Sequence, residues 1–191
     1  MEEKKERVDI FIDGSNFYHS TKNIEAKGYK IDLKRIIDEL ARARKVETFY
    51  YTALLDPEYN LEKYKEHKEV IEDLKKIPNF KVILCDMRKI NIGKKYQYEV
   101  KGDDVYLAHD LLIGAFDDLY DVAIIASGDA DFIPVINTLR KRFKKRVGNA
   151  YFRRTSSFKL RQACNFSVNM NMVVGKLLEK DNNKRPASPK R

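Results

Sequence analysis

The sequence predicts an α/β fold in which helices cover both faces of a central, mainly parallel sheet, that is, a three-layer α/β/α sandwich. Apolar strand patterns alternate with helical patterns along the 191 residues, and this alternation is typical of parallel strands joined by helical crossovers. Right-handed crossovers place helices on both faces of the sheet. The segment Val122 to Ala126 is apolar at every position, as expected for a strand buried on both faces.

The individual elements follow from local patterns of apolar and turn residues. Strands are predicted at Val8 to Ile12, Val46 to Leu55, Phe80 to Cys85, Val122 to Ala126 and Val147 to Phe152, with a hairpin over residues 86–100. Helices are predicted after the N-cap Asp32, from Pro57 to Leu74, from Val105 to Leu112 and around Pro134. We expect one domain over residues 1–180 and a flexible basic tail over residues 181–191, which lack core residues.

The composition excludes several classes of protein. Hydrophobic residues make up 43% of the chain, which excludes disorder throughout, and no apolar run approaches the roughly 18 residues of a membrane span. Two cysteines are too few for a disulfide framework or a four-ligand zinc site, so we expect buried thiols. The charged N-terminus has no signal-peptide pattern, and we expect a cytoplasmic protein.

Positive charge is concentrated in one part of the chain. The formal net charge is +9, yet the segment from Phe132 to Leu178 contains eleven Lys and Arg and no Asp or Glu. Such a block favours a polyanionic partner, above all nucleic acid, over the alternative of a solvated helix face. The expected nucleic-acid-binding residues are Arg140, Lys141, Lys144, Lys145, Arg146, Arg153, Arg154, Lys159 and Arg161.

Acidic residues follow two of the predicted strands and open one helix. Asp13 ends the first strand, Asp129 and Asp131 follow the apolar strand, and Asp104 lies at the start of a helix. Ligands bind at the carboxyl ends of parallel strands, and these carboxylates converge if the two strands are neighbours. Clustered carboxylates either raise their pKa values or hold a hard cation such as Mg²⁺ or Mn²⁺.

A divalent ion at this point would supply the chemistry of phosphodiester hydrolysis, because it binds phosphate oxygens and lowers the pKa of a bound water. Asn16 and Ser127 are expected to support the site by hydrogen bonding to water, a carboxylate or a phosphate. A structural role is the alternative, since Asp after a strand is often an N-cap or a turn residue. The joint pattern, rather than any one Asp, favours a functional site.

Three segments resemble the motifs of a known family. Val8 to Phe17 is similar to the first motif of the NYN domain, in the PIN-like nuclease superfamily, while Lys101 to Asp110 resembles the middle motif and Asp121 to Phe132 the third. The similarity spans about residues 7–170 and, among the branches of the family, is greatest to the LabA-like group. The resemblance implies a PIN-like, Rossmann-like sandwich and a Mg²⁺- or Mn²⁺-dependent ribonuclease. The metal ligands that it implies are Asp13, Asp104, Asp129 and Asp131.

The sequence departs from the family pattern at two positions. Asp103 stands where the middle motif usually has an apolar residue, and Cys164 stands where relatives often have an Asp. The expected function is hydrolysis of RNA, with DNA as an alternative substrate. A non-catalytic RNA-binding or regulatory protein is a second hypothesis. A phosphatase of another Rossmann-like fold is a third, although Ser15 replaces its usual second Asp. A homodimer through a sheet edge or a helix face also stays open.

Overall fold

The computed structural model describes residues 6–26, 31–42, 45–58, 60–92 and 95–184, and its centre is one seven-stranded sheet. The strands are β1 Arg7–Asp13, β2 Lys45–Ala53, β3 Phe80–Ile92, β4 Lys95–Lys101, β5 Val122–Ala126, β6 Arg146–Tyr151 and β7 Phe166–Asn169. Their order in the sheet is β4-β3-β2-β1-β5-β6-β7, and every neighbouring pair is parallel except β3 with β4. The mainly parallel sheet that the sequence predicts is therefore confirmed.

Helices cover both faces of this sheet, as the predicted three-layer arrangement requires. One face carries α1 Gly14–Glu25, α2 Leu33–Ala41, α3 Leu61–Lys75 and α7 Met170–Lys184. The other face carries α4 Asp103–Phe116, α5 Ile133–Lys141 and α6 Phe158–Ala163, and a 3-10 turn, Ala130–Phe132, precedes α5. None of the helices within the described residues is long and apolar enough to cross a lipid bilayer.

Alternation along the central strands divides the apolar side chains between two cores. In β1, Val8, Ile10 and Ile12 belong to the core under α1, α2 and α7, while Phe11 belongs to the core under α4 and α5. All residues of β5 are buried, which confirms the burial on both faces predicted for this strand. Each Ile or Phe that is fully buried stabilises the fold by about 1.5–3 kcal/mol relative to exposure.

The two cysteines lie in the core, as the composition predicts. Cys85 and Cys164 are both buried free thiols. Burial raises the pKa of each thiol to about 11. Both side chains therefore stay protonated at neutral pH and act as small apolar groups.

The start of α3 differs from the sequence prediction. The helix begins at Leu61 rather than near Pro57, because the side chain of Asn60 accepts a hydrogen bond from the Lys63 N–H at 2.9 Å and caps the helix there. The predicted cap of α2 is confirmed, since Asp32 accepts a hydrogen bond from the Arg35 N–H at 3.1 Å.

Two further boundaries differ from those predicted. The first strand of the predicted hairpin continues the strand before it, so that β3 runs unbroken from Phe80 to Ile92, and the turn at residues 93–94 lies outside the described residues. The first four residues of the predicted tail are helical, because residues 181–184 contain no Pro or Gly that would end α7 before Lys184. Residues 185–191 of the predicted tail lie outside the described residues.

The order of strands reverses between β1 and β5. From β1 the chain builds outward through β2 and β3, and from β5 it builds outward in the other direction through β6 and β7. In open α/β sheets, the crevice outside the carboxyl ends of the strands at such a reversal is the usual binding place. β5 lies beside β1 in register from Val8 with Val122 to Ile12 with Ala126, so the condition for the predicted carboxylates to converge is met.

Candidate active site

Asp13 ends β1 and is almost fully buried, with 6% of its surface exposed. Its Oδ1 accepts a hydrogen bond from the Asn16 N–H at 2.9 Å and so caps α1. Its Oδ2 accepts a hydrogen bond from the Ser127 hydroxyl at 2.8 Å. Burial raises the pKa of the Asp13 carboxyl, the two hydrogen bonds oppose this shift, and the charges of Asp103 and Asp129 add to it. Asp13 is thus a fixed carboxylate whose charge is poorly compensated.

The loop after β5 joins two more carboxylates to Asp13. The Ser127 hydroxyl, which donates to Asp13, also accepts a hydrogen bond from the Asp129 N–H at 3.1 Å. Asp129 in turn accepts a hydrogen bond from the Asp131 N–H at 2.9 Å, at the start of the 3-10 turn. Asp129 is half-buried and Asp131 is exposed. A single hydroxyl therefore connects the end of β1 with the segment after β5.

The start of α4 supplies carboxylates from a third segment. The Ser15 hydroxyl donates a hydrogen bond to Oδ2 of Asp103 at 3.2 Å, which holds the first turn of α4 against the first turn of α1. Partial burial and the charges of neighbouring carboxylates, first Asp103 and then Asp13 and Asp129, raise the pKa of Asp104 to about 6. The two adjacent acids therefore lie near enough to the end of β1 for their charges and that of Asp13 to affect one another.

The structure brings all four predicted acidic residues to one corner of the sheet and adds Asp103 to them. The charge of Asp131 also raises the pKa of Asp104, by less than the charges of Asp103, Asp13 and Asp129 do. Within the described part of the chain, none of these carboxylates forms an ion pair with Lys or Arg. We call this group the acidic cluster; its members are Asp13, Asp103, Asp104, Asp129 and Asp131.

The donor chemistry of the acidic cluster fits a hard divalent cation. All its donors are carboxylate oxygens, which Mg²⁺ and Mn²⁺ prefer. In the described residues, however, no three His, Cys, Asp or Glu side chains already lie close enough together to hold an ion. Asp13 is fixed by two hydrogen bonds, so a cation would draw the other side chains toward it by rotation. Their role as metal ligands stays a prediction.

Gly128 allows a second loop to approach the acidic cluster. A Cβ atom on Gly128 would lie 1.7 Å from the carbonyl oxygen of Thr155 and 2.6 Å from its carbonyl carbon. The Ser157 N–H donates a hydrogen bond to the Gly128 carbonyl at 3.0 Å, and the hydroxyls of Ser20 and Thr155 are 2.7 Å apart. We call residues 152–157 the β6 loop. Only a residue without a side chain fits between this loop and Ser127.

Asn149 is a supporting residue that sequence reasoning missed. It lies in β6 with no exposed surface, and its Nδ2 donates hydrogen bonds to the carbonyls of Ile125 at 3.0 Å and Ser127 at 2.8 Å. These two bonds fix the strand end from which the Ser127 hydroxyl projects. Its Oδ1 is buried without a hydrogen-bond partner among the described residues. The available signal was a lone Asn inside an otherwise apolar strand.

Asp110 lies two helical turns after Asp103 on α4 and is held against the sheet. The Tyr51 hydroxyl donates a hydrogen bond to its Oδ2 at 2.9 Å, and Nδ1 of His109 lies 3.0 Å from its Oδ1. Tyr51 is fully buried and pairs with Asp13 in the register of β1 and β2. Burial and the charge of Asp110 raise the pKa of the tyrosine. The contact anchors α4 beside the acidic cluster.

The structure divides the predicted nucleic-acid-binding residues between opposite edges of the sheet. The site-edge group follows the carboxyl end of β6, next to the acidic cluster, and consists of Arg153, Arg154, Lys159 and Arg161. The amino-edge group surrounds the amino end of β6 and consists of Arg140, Lys141, Lys144, Lys145 and Arg146. At about 3.3 Å per residue, β6 separates the two groups by roughly 17–20 Å.

Three members of the amino-edge group are already engaged with protein groups. Arg140 donates a hydrogen bond to the carbonyl of Ala163. Lys145 forms an ion pair with Asp118, and Arg146 forms one with Glu6 at 2.7 Å. These contacts stabilise the edge opposite the acidic cluster. The site-edge group is therefore the better placed of the two to meet a phosphate chain that passes the acidic cluster.

Comparisons with known proteins agree with this fold. A family model described as the NYN domain matches residues 7–171. A search of curated proteins finds no match. The crystal structure of a protein of unknown function from Vibrio parahaemolyticus RIMD 2210633 resembles this chain with a TM-score of 0.66 and 24% identity, over 89% of this chain and 96% of that chain. At that identity the likeness shows the fold alone.

Proposed function

Because this chain belongs to the NYN domain family, which is nuclease-like, we propose that it is a metal-dependent ribonuclease. The observation that supports this most is the meeting of five carboxylates, from three distant segments, at the point where the strand order reverses. Such a cluster repels a phosphate unless a cation lies between them. We also propose membership of the LabA-like group within the family, on the motifs quoted above.

The proposal assigns distinct roles to the residues of the site. The metal ligands are Asp13, Asp104, Asp129 and Asp131, with Asp103 as a further oxygen donor. Bound Mg²⁺ or Mn²⁺ would lower the pKa of a water and neutralise charge on the phosphate. The chain itself supplies rigidity, because Ser127 and the Asn16 N–H hold Asp13, and the site-edge group supplies charge for the RNA backbone.

Cleavage of RNA by the purified protein with Mg²⁺ or Mn²⁺ tests the proposal. We expect product formation that EDTA abolishes and that Asp129→Asn reduces about a hundredfold or more, because the variant loses an anionic oxygen donor. Asp38→Asn is the matched control, since Asp38 lies on α2, is exposed and pairs only with Lys34 in the structure described here. Cleavage that persists in EDTA or in Asp129→Asn would contradict the proposal.

Binding of RNA without cleavage is the second candidate function. It is favoured by one observation, that no three ligands are already arranged for a metal within the described residues. Under this alternative, Asp129→Asn leaves RNA affinity unchanged or increases it, and no activity is lost. The phosphatase hypothesis has less support. Such an enzyme needs a second Asp at position 15, and this chain has Ser15 there, which donates a hydrogen bond to Asp103. Release of phosphate from small phosphoesters would revive that hypothesis.

The division of the basic residues leads to a prediction about salt. For a single strand, the slope of log K against log salt becomes shallower by about 0.7 for each phosphate that the protein no longer neutralises. In the Asp129→Asn background, which leaves RNA intact, we expect Arg153→Gln with Arg154→Gln to flatten the slope by roughly 1.4. The matched pair Lys141→Gln with Lys144→Gln, at the other end of β6, is expected to change it much less. The salt dependence is measured by fluorescence anisotropy with labelled RNA. Equal changes of slope in the two double variants would argue against RNA binding along the site-edge group.

A further inference from the structure

We propose that Phe158 is a platform on which one nucleobase of a single-stranded RNA stacks while the RNA lies at the acidic cluster. This inference rests on the proposed function and extends it by naming the form of the substrate. Phe158 is the first residue of α6, and 62% of its surface is exposed. The ring is therefore accessible to a ligand, and its neighbours decide what that ligand could be.

The position of Phe158 ties it to the candidate site. It follows Ser157 directly, and the Ser157 N–H donates a hydrogen bond to the Gly128 carbonyl at 3.0 Å. Gly128 in turn directly precedes Asp129, a member of the acidic cluster. The ring and the carboxylate are thus attached to two backbone segments that touch each other. A nucleotide next to the reacting phosphate would lie within reach of the ring.

A cation that is fixed to the β6 loop lies beside the Phe158 ring. The guanidinium of Arg161 lies 5.4 Å from the centroid of the Phe158 ring and 4.5 Å from that of Tyr151. Arg161 also donates a hydrogen bond to the Ser156 hydroxyl at 3.0 Å, which fixes it to the β6 loop. A ring flanked by a fixed cation offers a base a stacking surface and offers its phosphate a positive charge.

Charge favours RNA over a protein as the occupant of this surface. Arg153, Arg154 and Lys159 are exposed and lie within five residues of Phe158 along the chain, and no Asp or Glu occurs between Phe132 and Leu178. An isolated ring in a cationic surface matches the alternating bases and phosphates of a nucleic-acid strand. In a duplex the bases already stack on one another, so only a single strand presents free base faces.

The test measures the affinity of full-length protein for a labelled single-stranded RNA, in the Asp129→Asn background so that the RNA stays intact. We expect Phe158→Ala to raise Kd about tenfold or more, the usual effect of removing one stacking ring. Phe158→Tyr, which keeps the ring, is expected to restore most of the affinity. Phe116→Ala is the matched control, because Phe116 is 74% exposed and ends α4, the helix whose opposite end carries Asp103 and Asp104.

Further measurements separate this inference from the function on which it rests. A blunt RNA duplex should bind with the same affinity to the protein with and without Phe158→Ala. An unchanged Kd for the single strand, or a change of oligomeric state in place of a change of affinity, would overturn the inference while leaving the nuclease intact. RNA that binds through Phe158 but is never cut by the unmodified protein with Mn²⁺ would overturn the nuclease alone. A complete lack of RNA binding would overturn both.

Discussion

Asp13→Asn is expected to abolish cleavage while it makes the metal-free protein more stable. The loss of activity should reach about a thousandfold, because a metal ion contributes several kcal/mol to hydrolysis and each 1.4 kcal/mol or so is tenfold in rate. The fold should survive, since the Asn side-chain oxygen can still accept the hydrogen bond from the Asn16 N–H, and its amide nitrogen can donate to the Ser127 hydroxyl oxygen with the direction of that bond reversed. Activity and stability therefore change in opposite directions.

The gain in stability follows from the sign of the pKa shift. Burial raises the pKa of Asp13 in the folded protein, so this group favours folding fully only below its ordinary pKa of 3.8. That contribution is lost as the pH rises through the higher folded-state pKa, because the buried group becomes charged. Asn carries no charge at any pH, so the stability of the variant does not fall in this way. At pH 7 in EDTA we therefore expect Asp13→Asn to melt at a higher temperature than the unmodified protein. The difference should vanish in acid.

Calorimetry with and without Mn²⁺ completes the test of Asp13. A ligand that binds only the folded protein adds about 2.7 kcal/mol of stability at a hundred times its Kd. Mn²⁺ should therefore raise the melting temperature of the unmodified protein and of the Asp38→Asn control, but not that of Asp13→Asn. A variant that still cuts RNA, or that melts lower than the unmodified protein in EDTA at pH 7, would contradict the role given to Asp13.

Gly128→Ala is expected to destabilise the protein by about 3 kcal/mol and to remove activity with it. The added Cβ would overlap the backbone of Thr155 at 1.7 Å, and backbone atoms cannot swing aside as the end of a flexible side chain can. The cost is steric, because the backbone of Gly128 is not in the left-handed region. The β6 loop must then move, and the hydrogen bond from Ser157 is broken. At this chain length we expect a fall in melting temperature of roughly 6–12 °C.

Gly175→Ala is the matched control for this prediction. Gly175 lies inside α7, and a Cβ there would meet no atom within 4 Å. Alanine is favoured over glycine in a helix interior by about 0.5–1 kcal/mol, so this variant should melt at or slightly above the temperature of the unmodified protein. Similar melting temperatures for the two variants would show that the β6 loop does not depend on Gly128.

The positions of the main elements along the chain and the mainly parallel sheet were predictable, because each element has a long or well-marked pattern, whereas the order of the strands in the sheet was not. The apolar strand Val122–Ala126 and the cap at Asp32 were both found where the sequence indicates. β7 and α6 were missed, because Phe166–Asn169 has four residues and Phe158–Ala163 has six, too few for a period to show. Tertiary packing alone selects such short segments.

The site was predictable at its strand ends and not elsewhere. Asp13 and Asp129 follow strands, so topology alone brings them together. Asp103 and Asp104 share one helical turn, and the sequence pattern could not show that the Ser15 hydroxyl donates its hydrogen bond to Asp103. The basic residues were treated as one block because they are continuous in sequence. The strand β6 lies between them, however, so the basic residues before it and after it are at opposite edges of the sheet.

The hydrogen bond between Ser127 and Asp13 joins residues 114 positions apart, and this separation sets how long the site stays incomplete during synthesis of the chain. A ribosome adds about 5–20 residues per second, so β1 is made roughly 6–23 seconds before β5 can pair with it. Until then one edge of β1 stays open and the acidic groups that surround it are incomplete. A nascent chain that ends before Ser127 therefore lacks Asp129 and Asp131, so the acidic cluster, and any activity that depends on it, can arise only after β5 has been made.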